Sequence, residues 1–169
     1  DFGRRLAETH RSGAPWFGCP PKDWTEDGFI GPLSLSHVPT ATHTDATTWG
    51  RFYARRRIHP FLRVAHDTDK LSTHTARCID TLCERLEDGD EELTGPADEP
   101  VSRLHGDLWA GNVLWTSRGV VLIDPCAHGG HRETDLAMLD LFGLPRLKVV
   151  MASYQQAWPL ADGWRERMP

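Results

Sequence analysis

The chain has 169 residues, 39% of them hydrophobic, which is enough for a core in one domain or one large lobe and excludes disorder over most of its length. A formal charge of −5 removes any global electrostatic reason to expect nucleic acid or an anionic membrane, so a bound polyanion must be held by local groups or by metal. The apolar runs are far short of a bilayer span, no signal-peptide pattern opens the chain, and Cys19, Cys78, Cys83 and Cys126 are scattered with no CxxC pair, which reads as a reduced, cytoplasmic protein.

In chain order, RRLAETH sets Leu6 and His10 at helical spacing, and the run breaks at SGAP. Residues 13–44 carry many glycines and prolines, including WFGCPP and FIGPLS. They read as a long ordered loop, because Trp16, Phe17, Trp24, Phe29 and Ile30 are poor residues to leave in water. Over 45–65 the spacing of Trp49, Phe52, Tyr53 and Leu62 predicts a helix, with Asp45 as its N-cap and a kink or division at Pro60. The clearest helix follows, where Leu71, Thr75, Cys78, Ile79, Leu82 and Leu86 form one stripe at 3.6 spacing. EDGDEE ends it in a solvated acidic loop.

Three short strand-like runs come next: VSRL, NVLW and VVLI, the last two joined by the turn TSRG. ETDLAMLDLF predicts a helix stopped by Gly143 and Pro145, and PRLKVVMASYQQAW predicts another. The expected fold is α+β, mainly α, with a small β-hairpin presenting polar turns at its edges. The chain opens at Asp1 rather than Met and stops at WRERMP, which reads as the first turn of a helix after an ADG turn. Both ends are expected to be cut from a longer polypeptide or made by processing.

The chemistry concentrates in LHGDLWAGNVLW and VVLIDP. Phosphoryl transfer from a nucleotide needs the acceptor hydroxyl in line, a group to take its proton, and magnesium held by hard oxygen ligands. The kinase pattern H-x-D-L-x-x-x-N supplies the base and one metal ligand, and His105, Asp107, Leu108 and Asn112 have that spacing. A second metal-binding acid belongs on the strand after a hairpin, where Asp124 closes VVLI. Leu114 and the VVLI run are expected to fix both acidic turns on a core. The opening Asp1-Phe2-Gly3 copies the kinase metal triplet but lies upstream of His105, in the wrong order, and reads as a helix entry.

With LHGDLWAGNVLW followed by VLIDPCAHGGHRETDLAMLDLFG, the chain resembles the fructosamine kinase (ketosamine 3-kinase) family, within the aminoglycoside phosphotransferase-like branch of the protein-kinase-like fold. HGDLWxGN and GHRExDLAM carry the resemblance, and APWFG, DGFIG, WGRFYARRRIHP and PLADGWRER extend it over most of the chain. It implies a C-terminal lobe spanning 1–169 that transfers the γ-phosphoryl of ATP to a sugar hydroxyl of a ketoamine or glycated amine, with Mg2+. Asp107 would be the base, Asn112 and Asp124 the magnesium ligands, and Trp109 a neighbour of the substrate. The family's N-terminal nucleotide-binding β-lobe has no counterpart here: Lys22, Lys70 and Lys148 lack a strand–lysine–helix–glutamate context, and no glycine-rich phosphate loop precedes a helix. That lobe was removed by truncation, lost from the gene or supplied by another chain, three readings the sequence leaves open, and half the nucleotide site is expected to be missing from the isolated chain.

Around this centre, His105 reads as a brace for the loop rather than a proton carrier, and Arg132 and Asp135 as further supports through a salt bridge and helix N-terminal contacts. Trp109 is either a stacking surface for the acceptor or ordinary core. Cys126, His128 and His131 do not match the usual zinc spacings, so the turn bearing His128 and His131 is expected to face substrate. Arg55, Arg56 and Arg57 read as a solvated helix face. Three rivals stand beside the ketoamine reading: a related kinase for an aminoglycoside, choline or another sugar; a non-catalytic binding lobe; and a metal-dependent hydrolase on His105, Asp107, Asp124 and His131.

Overall fold

The computed structural model describes residues 1–168. Helix α1 (Phe2–Arg11) begins at Asp1 and turns Leu6, Ala7 and His10 to one buried side, as helical spacing requires. The long segment after it is less featureless than its composition suggests. Strands β1 (Gly28–Ile30) and β2 (Leu33–Leu35) form a hairpin closed by Gly31 and Pro32. Trp24 and Phe29 stay 48% and 60% exposed, against expectation. Trp16 instead donates its indole N–H to the Val38 carbonyl at 2.8 Å and packs with Phe17 on Val38, Ala46 and Phe52.

The helix expected over 45–65 is real from residue 49 onward, but its start and its middle differ. Its N-cap is Thr48, whose hydroxyl accepts from Arg51 N–H, and α2 (Trp49–Tyr53) follows. Pro60 does not divide the path. A π-turn over Ala54–Ile58 precedes α3 (His59–Asp67), with Pro60 in the first turn of α3, and the Arg56 carbonyl that Pro60 cannot serve accepts from Arg57 Nη1 at 3.0 Å. Of the three arginines only Arg55 is exposed; Arg56 and Arg57 are drawn partly inward. Asp45 is buried and takes Arg56 and Arg55, Arg55 also pairs with Glu87, and Arg57 lies over the Phe52 ring at 4.5 Å.

Helix α4 (Thr73–Glu87) is capped by Ser72, which accepts from Thr75 N–H at 3.1 Å. Its fully buried side chains lie in its C-terminal half, where Cys83 and Leu86 pack with Tyr53, Ala54 and Ile58, with Ile79 partly buried against them. Most of the apolar stripe therefore stays open, with Leu82 37% exposed. The acidic run is not loop throughout: Asp90 caps the short α5 (Glu91–Thr94), placing Glu91 and Glu92 where the helix dipole favours them.

The three predicted strands are present as β3 (Ser102–Leu104), β4 (Val113–Thr116) and β5 (Gly119–Leu122), with a fourth, β6 (His128–Gly130), not foreseen. They form two separate antiparallel ladders, β3 with β6 and β4 with β5. The register positions the loops: Leu104 pairs with His128, and Val113 pairs with Leu122. Residues 105–112 and 123–127 are thereby held side by side between the ladders. Val113 is the buried anchor of the hairpin; Leu114 and Val121, on the opposite pleat, are 44% and 47% exposed, so the core contact is one residue out of phase with expectation.

Helix α6 (Glu133–Leu141) ends before Gly143, and α7 (Leu147–Ala157) and the short α8 (Trp164–Arg167) follow; Pro169 of the predicted terminal helix lies outside the described residues. The main core joins Leu6 and Ala7 of α1, Leu136 and Leu139 of α6, and Val150, Met151 and Tyr154 of α7, with Leu108 and Val113 of the loop and hairpin driven into it. The α+β, mainly helical architecture is as expected, with three two-stranded sheets among the described residues rather than one hairpin. Among the described residues no helix is long and apolar enough to cross a membrane.

Candidate active site

Loop 105–112 is held from below by one buried carboxylate. Asp135, in the first turn of α6, accepts from His105 N–H at 2.7 Å and from Gly106 N–H at 2.9 Å. His10 donates to it from Nε2 at 3.1 Å and accepts from the Tyr154 hydroxyl at Nδ1, 2.8 Å away. Burial alone would raise the pKa of Asp135, but the hydrogen bond from His10 and those from the two backbone N–H groups outweigh it and hold the acid below its ordinary value. The sequence reading gave Asp135 this supporting position but missed His10 and Tyr154. A polar residue on the apolar stripe of α1 was the available signal, since a buried imidazole demands a partner.

His105 clamps the two loops together. Its Nδ1 accepts from Asp107 N–H at 3.3 Å, and its Nε2 donates to the Ile123 carbonyl at 3.0 Å, next to Asp124. Gly106 permits the approach: at φ +84° a Cβ there would lie 2.0 Å from the Cys126 carbonyl oxygen. Asn112 closes the loop on itself, with Nδ2 donating to the Asp107 carbonyl at 2.9 Å and to Oδ2 of its carboxylate at 3.2 Å. Both amide protons are thereby used, so Oδ1 is the group left to bind anything else. Asp124 holds φ +52°, a left-handed conformation that aspartate tolerates better than most residues.

Asp107, Trp109, Asn112 and Asp124 all line one open cavity of about 690 Å³, which Phe29, Ile30, Pro125, Met138 and Phe142 complete. Trp109 is 41% exposed and meets Phe142 edge-on at 6.0 Å. Its six-membered ring covers Gly111 so closely that a Cβ there would lie 2.2 Å away, which explains the small residue two positions after the tryptophan. Two carboxylates and an amide oxygen form a hard oxygen set, the type magnesium takes alongside phosphate oxygens. Among the described residues neither the Asp124 carboxylate nor Asn112 Oδ1 has a protein hydrogen-bond partner, so both are free to hold that ion.

Three predicted site residues lie elsewhere. His128, on β6, is 4% exposed, donates to the Cys126 carbonyl at 2.8 Å and packs on Phe52; burial pushes its pKa down to about 3. The turn after Asp124 runs straight into a ladder, which takes His128 inward rather than toward the cavity. His131 is also 4% exposed, tilted against Trp49 at 5.3 Å, with its pKa pushed by burial down to about 4. Arg132 does not reach the loop: it pairs with Glu99, donates to the Trp158 and Pro159 carbonyls at 3.1 and 2.8 Å, and stacks 3.9 Å over Trp158. Among the described residues no three His, Cys, Asp or Glu side chains are grouped to hold a metal, so the zinc and hydrolase arrangements lack their ligand sets.

The chain is 31% identical over its whole length to a probable ketoamine kinase of Enterococcus faecium, covering 56% of that protein, and 36% identical over 81% of its length to a probable ketoamine kinase of Lactiplantibacillus plantarum, covering 47%. The crystal structure of a candidate fructosamine-3-kinase from Thermobifida fusca superposes on 99% of the chain with a TM-score of 0.85 at 48% identity, the match spanning 53% of that molecule. The chain thus spans about half the length of the curated relatives it matches. The fructosamine kinase family model matches residues 1–169, and the chain belongs to that family.

Proposed function

We propose that this chain is the catalytic and acceptor-binding lobe of a kinase that phosphorylates a sugar hydroxyl of a ketoamine at the expense of ATP. The observation that carries the reading is the pair of hydrogen bonds that Asn112 Nδ2 donates to Asp107, which fixes the acid and leaves an amide oxygen for the cavity that Asp124 also lines. Asp107 takes the proton of the acceptor hydroxyl as its oxygen bonds to the γ-phosphorus; the bond from that phosphorus to the bridging oxygen breaks, and ADP leaves with the electron pair. Asn112 Oδ1 and Asp124 would hold Mg2+, which would supply neutralisation of charge on the phosphate oxygens. Trp109 and Phe142 give the acceptor an apolar wall beside the base. A β-rich lobe, elsewhere in the protein or on a partner chain, would cover the nucleotide.

ADP release by the full protein, followed with fructosyl-amines, an aminoglycoside and choline, tests the reading. Turnover is expected with the fructosyl-amines, falling about 100-fold or more in Asp107→Asn with folding intact. Turnover confined to the aminoglycoside or choline would transfer the same machinery to another acceptor class. Ketoamine binding without any turnover would leave a recognition lobe.

A further inference from the structure

Strands β1 and β2 carry Phe29 to the catalytic cavity on a stem that is tied down from several sides. Asp27 accepts from His37 N–H at 3.0 Å and from the Ser34 hydroxyl at 3.2 Å, and the Ser36 carbonyl accepts from Arg57 Nη1 at 2.8 Å. Leu35 is buried at the base of the hairpin. Gly28 lies so close to the turn after Asp124 that a Cβ there would stand 2.8 Å from Cys126 Sγ, which fixes the strand against that turn. Phe29 comes next, opposite Ser34 in the ladder, with its ring exposed and lining the cavity.

A ring held out of the core on a pinned backbone forgoes most of its hydrophobic gain. Single exposed apolar residues are ordinary, but Phe29, Trp109 and Phe142 are three exposed rings on one concave wall, and such a patch marks a contact surface. The charged groups of the cavity decide what chemistry the contact takes. They are the carboxylates of Asp107 and Asp124, and no lysine, arginine or histidine stands among the described residues that line it. Magnesium bound at Asp124 and Asn112 would meet phosphates whose charge exceeds its own, so the field at the rings stays negative. A ketoamine brings a secondary alkylamine that is protonated at pH 7, and the face of an aromatic ring attracts such a cation.

We propose that Phe29 is a specificity-determining residue whose ring packs on the protonated amine of the acceptor, so that the cavity selects a cationic acceptor over a neutral one of the same shape. The inference rests on the reading of Asp107 as base at the sugar hydroxyl. With that hydroxyl at Asp107, the nitrogen a few bonds away falls within the same cavity. Because the hairpin is anchored beside the turn that bears Asp124, the fold sets the position of the ring relative to the base.

The test compares fructosyl-methylamine with 1-O-methyl-fructose, its neutral ether isostere, in the full protein. It uses the wild type, Phe29→Leu, which keeps apolar bulk and removes the ring face, and Phe29→Tyr, which restores the face. The position is exposed, so both variants are expected to fold, as circular dichroism checks. The wild type is expected to favour the amine about tenfold or more in kcat/KM. Phe29→Leu should lose about fivefold more on the amine than on the ether, Phe29→Tyr should keep the wild-type ratio, and KM for ATP should be the same in all three. An amine-to-ether ratio in Phe29→Leu equal to that of the wild type overturns the contact while leaving the ketoamine reading standing. A raised KM for ATP also overturns it, by giving the ring to the nucleotide side. A wild type that takes both acceptors equally overturns selection by charge whatever the variants do. A wild type that phosphorylates neither overturns the ketoamine reading, and the inference falls with it.

Discussion

Asp135→Ala removes the acceptor of three buried donors at once: His105 N–H, Gly106 N–H and His10 Nε2–H. A buried donor left unpaired costs about 1–3 kcal/mol, and water entering the vacated space offsets part of the sum, so the expected loss is about 4 kcal/mol. For a domain of this size that is a fall in Tm of about 8–16 °C, read by circular dichroism at pH 7.5. Turnover should fall further than stability alone explains, because Asp107 sits one residue past the freed Gly106. The pH dependence carries a second signature. Asp135 titrates below its ordinary value in the fold, so as the pH falls the unfolded chain takes the proton first. The stability it contributes is full above the unfolded carboxylate pKa, near 4, and is lost as the pH drops through the lower folded value. The variant should lack that part of the slope. A Tm within about 2 °C of wild type would refute the claim that this carboxylate holds the loop.

Other outcomes follow from the same contacts. His128 and His131 titrate at about 3 and about 4 in the fold, so the unfolded chain binds protons first below about 6.5. Each should cost about 2 kcal/mol of stability between pH 7.5 and pH 5, measured by urea unfolding; an unchanged midpoint would contradict their neutral burial. Gly111→Ala puts a methyl 2.2 Å from the Trp109 ring, so the ring must move. Tryptophan fluorescence should shift and KM for the ketoamine rise with secondary structure unchanged, and unaltered kinetics would remove Trp109 from the acceptor wall. In the full protein, Asp124→Asn should raise the magnesium needed for half-maximal turnover by about tenfold or more, and an unchanged requirement would take Asp124 out of the metal site.

The centre of the site was legible because its chemistry is local in sequence. Asn112 lies five positions after Asp107, and the bonds between them close within that loop. Asp124 was reachable because a strand and a turn announce themselves. What escaped was whatever depends on distant pairing. VSRL read as a strand, but nothing in it says that its partner is His128–Gly130, and that ladder is what takes His128 away from the cavity. Arg132 was read as a support for the loop, yet its partners are Glu99 and the carbonyls after α7, far along the chain in both directions. The arginines at 55–57 had the composition of a solvated face; Arg55 is exposed, but the partial burial of Arg56 and Arg57 depends on Asp45 and Phe52 folding around them. In α4 the apolar period was real, but a period cannot say how much of a face its neighbours reach.

The central claim is that Asp107 accepts the proton of a ketoamine sugar hydroxyl as phosphate arrives. The most direct test is phosphorus NMR of the full protein with ATP, Mg2+ and a fructosyl-amine, run beside Asp107→Asn. The account predicts a sugar-phosphate resonance growing with the wild type at the expense of the γ-phosphate, and none on the same timescale with the variant. Equal growth in both samples would contradict it.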